Sequence, residues 1–97
     1  MIRTFSNRGT EDVFHDINTR AARRICPKTL WAIARRKLDQ INRVRNVAEL
    51  VVPPGNRLER LIGDRAGQHS IRINDPYRIC FRWNDGYADG VEITDYH

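Results

Sequence analysis

The stretch from His69 to Trp83, "HSIRINDPYRICFRW", decides the fold. Its apolar residues Ile71, Ile73, Tyr77, Ile79, Phe81 and Trp83 all carry odd numbers. In extended chain alternate side chains share a face, so two strands here present one apolar side if Ile73 lies opposite Tyr77. That register requires a loop of Asn74, Asp75 and Pro76. A two-residue loop would set Ile73 opposite Arg78 and mix the faces. The longer loop is therefore predicted, and it places Arg72 across from Arg78. With Arg82 these form a column of arginines on the polar face, which repels itself unless an anion or a carboxylate such as Glu92 lies between them.

Strand signals continue on both sides of this hairpin. "NDG" reads as a turn and "GVEITDY" as a last strand, while "RLERLI" reads as a strand joined to the hairpin by the turn "GDRAGQ". Further upstream the period changes. "VVPPGN" breaks the chain with Pro53, Pro54 and Gly55. Before it, Leu30, Ala34, Leu38, Ile41, Val44 and Ala48 recur every three or four residues after Pro27, predicting a long amphipathic helix. Arg35, Arg36, Asp39 and Arg43 fall on its outer side, and Lys37 must snorkel from the apolar stripe. "TEDVFHDI" predicts a short earlier helix with Thr10 as its cap, ending near "NTR". "MIRTF" reads as a short strand. Two helices followed by a hairpin-rich sheet make an α+β domain of two layers, with helices on the apolar side of a mainly antiparallel sheet. The other face is expected to stay open, polar and suited to an extended polyanion.

Composition narrows the function. Ninety-seven residues suffice for one domain, 1–97, and no repeat or linker divides them. Residues 1–50 hold 11 Arg or Lys against 5 Asp or Glu, while the remainder is nearly balanced, and the whole chain carries +5. Fifteen of the 17 basic residues are arginine, whose planar fork suits phosphate oxygens. Nucleic acid or an acidic protein is the expected partner. Cys26 and Cys80 are far apart and neither lies in a C-x-x-C pair, so a disulfide scaffold has no support and a reducing cytoplasm fits. No stretch approaches the roughly 20 apolar residues of a membrane span, so no membrane partner is expected. His15 and His69 read as ordinary surface or helix-face residues, and Trp31 and Trp83 as core or interface aromatics. The histidines and cysteines lack metal-ligand spacing, so neither metal nor cofactor is expected.

"PPGNRLERLIGDRAGQHSIRINDPYRICFRW" followed by "VEITDYH" resembles the HigB-type branch of the RelE/ParE toxin superfamily, most strongly over residues 53–97. The resemblance implies a RelE/ParE-like fold and a metal-independent, ribosome-dependent endoribonuclease that cuts mRNA. It also implies neutralisation by a helix-turn-helix, HigA-like antitoxin, with operator DNA met only through that antitoxin. The family's terminal Asp-Tyr-His falls on Asp95, Tyr96 and His97, and its phosphate-facing arginine on Arg78. Two positions depart from the pattern: Glu59 stands where a histidine is usual, and Ile62 where a lysine is usual. Weak cleavage, or inhibition of the ribosome or DNA gyrase by occupancy, is the alternative they raise.

RNA cleavage through its own 2'-hydroxyl needs a base, an acid and a cation on the phosphate. Arg78 suits the third role, His97 either of the first two, Asp95 a base or an orienting partner, Tyr96 a stacking or donating group. Glu59 stands in for the missing histidine as base. Arg57, Arg65, Arg72 and Arg82 are the expected RNA contacts. Strict alternation from Val91 and Ile93 sends Asp95 and His97 to the apolar side and only Tyr96 to the face of Arg78. Convergence requires the last strand to bend or end before Asp95, which is the expected arrangement.

Overall fold

In the computed structural model, residues 1–95 are described. Three α-helices precede four strands: α1 (Arg8–Phe14), α2 (Arg20–Ile25), α3 (Trp31–Arg43), β1 (Glu59–Arg60), β2 (His69–Arg72), β3 (Tyr77–Asn84) and β4 (Tyr87–Asp95). The strands form one antiparallel sheet in the order β1-β2-β3-β4. The helices pack on its apolar face around Leu38, Ile41, Ile71, Ile79, Phe81, Val91 and Ile93. Burying a side chain such as Leu38 contributes about 1.5–3 kcal/mol, so α3 is held chiefly by its inward stripe.

The central hairpin has the predicted register. Arg72 pairs with Arg78 and Ile71 with Ile79, and the Ile73 N–H donates to Tyr77 O over 2.9 Å. The Asn74 carboxamide closes the loop by accepting from the Tyr77 N–H at 2.9 Å. Between β3 and β4, Asp85 and Gly86 both adopt positive φ, which an Asp-Gly pair tolerates in a two-residue turn whose twist matches the strands. A bulge then intervenes. Cys80 pairs with Glu92 but Arg82 pairs with Asp89, so Phe81 faces both Gly90 and Val91.

The outer edge of β4 is covered by the N-terminal segment. Ile2 and Phe5 make parallel bridges to Ala88 and Val91, rather than belonging to a regular strand. The Ile93 N–H farther along donates to Thr10 Oγ1 at 3.0 Å. Thr10 is thus a buried residue within α1, and Asn7 is the cap, accepting from the Thr10 N–H. The cap predicted at Thr10 thus falls on Asn7, a stronger capping residue three positions upstream, while the Thr10 hydroxyl is engaged by β4.

Helix boundaries also differ. A separate helix, α2, is capped by Thr19, whose hydroxyl also donates to the buried Asp12 carboxylate at 2.6 Å. The long helix stops at Arg43, with Val44 extended and Ala48 exposed. The cause is local: Asn46 and Glu49 form a capping box that starts a new 3-10 turn at Val47–Val51. Lys37 does snorkel, donating to the wholly buried Asn56, which also bonds Leu50 O and Gln40 Oε1 and so ties the proline turn to α3. Burial, and then the neighbouring Arg36, lower the Lys37 pKa.

Candidate functional site

The face of the sheet turned away from the helices carries Glu59, Ser70, Arg72, Arg78, Cys80, Arg82, Glu92 and Thr94, as the pairings Glu59 with Ser70, Ser70 with Cys80, Cys80 with Glu92 and Arg78 with Thr94 require. This face is not bare, as expected from the sequence, but partly roofed. The chain between β1 and β2 turns through Gly63–Arg65 and lies over it. Arg65 Nη1 donates to Glu92 Oε1 at 3.1 Å and to Gln68 Oε1 at 3.0 Å. Gly67 has φ +89°, a left-handed conformation that favours glycine, and a Cβ there would meet the movable end of Arg82, Nη1, at 2.7 Å. Cys80 is fully buried as a result. Burial raises its thiol pKa, and the nearby Arg65, Glu92 and Arg78 also act on it.

The arginine column is resolved unequally. Arg72 takes the Asp75 carboxylate in the hairpin loop, and Glu92 goes to Arg65. Arg82 is exposed, with only a 3.5 Å approach to Ala66 O. Arg78 Nη1, by contrast, is a buried donor with no hydrogen-bond partner among the described residues. An orphaned buried donor is costly, by about 1–3 kcal/mol, which sets Arg78 apart from the other arginines of the column.

The other predicted residues spread out from this point. Glu59 shares the face of Arg78, but two strands away and one pleat along, about 12 Å between Cα atoms by strand spacing and rise. Arg57 is exposed in the turn ahead of β1, in a left-handed conformation with φ 46°. Asp95 does not leave the sheet as expected: β4 runs through it and pairs it with Tyr77, on the side opposite Arg78. The strand continues because backbone pairing with β3 is still available at Tyr77, so no bend is needed to satisfy it. Tyr96 and His97 lie outside the described residues. Ile62, where a lysine is usual, is 87% exposed beside the roofing turn.

His69 also differs from its surface reading. It pairs with Phe81 on the core side and stacks on that ring at 5.9 Å, and burial followed by Arg60 lowers its pKa. Trp31 is a core residue whose indole N–H donates to Cys26 O at 3.0 Å. The side chain that pattern reading could not place is Arg65. A turn arginine lacks periodicity, and nothing in a single chain announces that it will reach across to Glu92.

Residues 3–97 match the family described as the RelE-like toxin HigB of type II toxin-antitoxin systems. Toxin HigB-1 of Vibrio cholerae is 40% identical over 65 residues, spanning 67% of this chain and 68% of that protein. An uncharacterized protein of Haemophilus influenzae is 36% identical over 67 residues, spanning 69% and 66% respectively. The YoeB-YefM complex from Staphylococcus aureus contains a chain that superposes with a TM-score of 0.56 at 15% identity, covering 100% of this chain and 98% of that one. Helices on one side of an antiparallel sheet thus define a RelE-like toxin fold. Within that class, the chain belongs to the HigB family of type II toxin-antitoxin toxins.

Proposed function

We propose that this toxin acts as a single domain in the cytoplasm, as a metal-independent endoribonuclease that cuts mRNA on the ribosome and is neutralised by a HigA-like antitoxin. The observation that carries this reading is the Arg78 guanidinium, whose Nη1 has no partner among the described residues on the sheet face away from the helices. A guanidinium can give two hydrogen bonds to the non-bridging oxygens of one phosphate, and these strengthen as charge builds in the pentacovalent state. The 2'-oxygen attacks phosphorus, its proton passes to a base, and the departing 5'-oxygen receives a proton from an acid. A cyclic phosphate and a 5'-hydroxyl result.

His97 is the proposed acid, since an imidazole titrates near pH ~6.5 and can hold a proton to give. Asp95 and Glu59 could serve as bases only if substrate binding turned Asp95 to the face of Arg78 or brought Glu59 closer across the sheet, with Tyr96 stacking on a nucleobase or donating to phosphate. Arg57, Arg72 and Arg82 would meet the RNA backbone, making binding fall steeply with salt. An antitoxin partner agrees with family membership and with the fold shared by a chain of the YoeB-YefM complex.

A second reading, inhibition by occupancy of the ribosome or of DNA gyrase, is favoured by one observation. Glu59 is far from Arg78 and Ile62 offers no charge, so two of the family's usual groups have no substitute close to the phosphate. Purified toxin added to ribosomes programmed with one defined message separates the readings by mapping of 5' ends. Discrete new ends that vanish in Arg78→Ala and His97→Ala support cleavage. An intact message with arrested translation supports occupancy of the ribosome, and gyrase inhibition with normal translation supports the other target.

A further inference from the structure

The outer face poses a competition between two arginines for one carboxylate. Glu92 stands opposite Cys80, and Arg78 is two residues along β3, so Glu92 and Arg78 are diagonal neighbours. Such neighbours sit about 7–8 Å apart, within reach of long side chains. On an unroofed sheet Glu92 would therefore be the natural partner of Arg78, and an arginine so neutralised is a poor phosphate ligand. The structure gives Glu92 to Arg65 instead, at 3.1 Å, with the two side chains 30% and 29% exposed. Gln68 accepts from the same Arg65 nitrogen, which fixes the guanidinium over Glu92. Asp75 is similarly occupied by Arg72. Glu92, the carboxylate diagonal to Arg78, and Asp75 in the hairpin loop are thus each held by another arginine, and Arg78 Nη1 has no partner among the described residues.

We propose that Arg65 is a positioning residue: by holding Glu92 from the roofing turn, it keeps that carboxylate off Arg78 and leaves the Arg78 charge unneutralised and available to a phosphate. This rests on the reading of Arg78 as a phosphate site. It gives Arg65 a different role from the direct RNA contact that its charge alone suggests. The two roles make opposite predictions about Glu92. If Arg65 touches RNA, removing Glu92 cannot compensate for its loss. If Arg65 works by sequestering Glu92, removing Glu92 restores what was lost.

The experiment measures binding of a short RNA oligonucleotide with a 2'-deoxy substitution, which cannot be cut, together with the side-chain Nε–H resonance of Arg78. That resonance is assigned by its absence from Arg78→Lys. In Arg65→Ala, Glu92 moves to Arg78, the resonance shifts, and affinity falls about tenfold if the open state drops to a tenth of the population. In Arg65→Ala with Glu92→Gln, both the resonance and the affinity return to within about twofold of the wild-type toxin. Arg65→Lys retains the hold on Glu92 and loses little. Should Arg65→Ala fail to fold, Arg65→Gln carries the same comparison. An affinity loss that Glu92→Gln does not reverse, or an Arg78 resonance indifferent to Arg65, overturns the proposal. Equal binding by wild-type toxin and Arg78→Ala would instead remove the phosphate-site reading, while the resonance still decides whether Arg65 keeps Glu92 away.

Discussion

Thr10 in α1 accepts a 3.0 Å hydrogen bond from the backbone N–H of Ile93 in β4, and both residues are buried. This one contact ties the first helix to the strand beside the candidate site. Thr10→Val keeps the shape of the side chain but orphans the N–H, so the expected loss is about 1–3 kcal/mol. Thr10→Ser should recover most of it. Urea denaturation of the three proteins checks both statements.

Gly9 is in the same helix, where alanine is ordinarily better by about 1 kcal/mol. Here the sign reverses. A Cβ at Gly9 would lie 2.5 Å from Ala21 O and 3.1 Å from Ile25 Cβ, both in α2. Gly9→Ala should therefore lower stability, by about 1–3 kcal/mol for an overpacked contact. A raised melting temperature would contradict this.

Asp89 accepts from Arg3 Nε at 2.7 Å and from Asn84 Nδ2 at 3.0 Å, and these bonds lower its pKa from 3.8 to about 2. A depressed carboxyl favours folding while ionised, so its contribution is complete above about pH 4 and disappears as pH falls through about 2. Wild-type melting temperatures should drop across that window more steeply than those of Asp89→Asn. Parallel acid titrations followed by thermal melts make the comparison.

Arg78 sets function against stability. Because its Nη1 is buried without a partner among the described residues, Arg78→Met keeps the aliphatic stem and discards an unsatisfied donor. Stability should rise by about 1 kcal/mol, at the lower end of the cost of such a group, while any message cleavage is abolished. A destabilised Arg78→Met would mean that the guanidinium holds the fold rather than a phosphate.

Periodicity made the hairpin legible down to its register, because Ile71, Ile73, Tyr77 and Ile79 share a face in only one pairing. The same logic located the inward stripe of α3 but overran its end, since the Asn46 and Glu49 box that stops it competes locally with an apolar pattern extending to Ala48. For α2 the cue was too short: six residues with Ala22 as the one buried position carry little periodic signal. Around the candidate site, the arginine column and the need for a carboxylate among its members were both legible. Which arginine would take Glu92 was not. That choice depends on how a turn without periodicity folds back over the sheet.

The bulge opposite Phe81 works as a phase shifter. Ala88 before it and Val91 and Ile93 after it all point inward, so inward positions change from even to odd numbers across Gly90. One inserted backbone unit thereby selects which groups near the strand's far end join Arg78: Thr94 is its neighbour, and Asp95 is turned aside. Deleting one residue there would restore regular pairing with Thr94 still opposite Arg78, whereas regular pairing of the strand at its full length would turn Asp95 onto the face of Arg78, so the length of this segment, as much as its chemistry, determines which group stands beside that arginine.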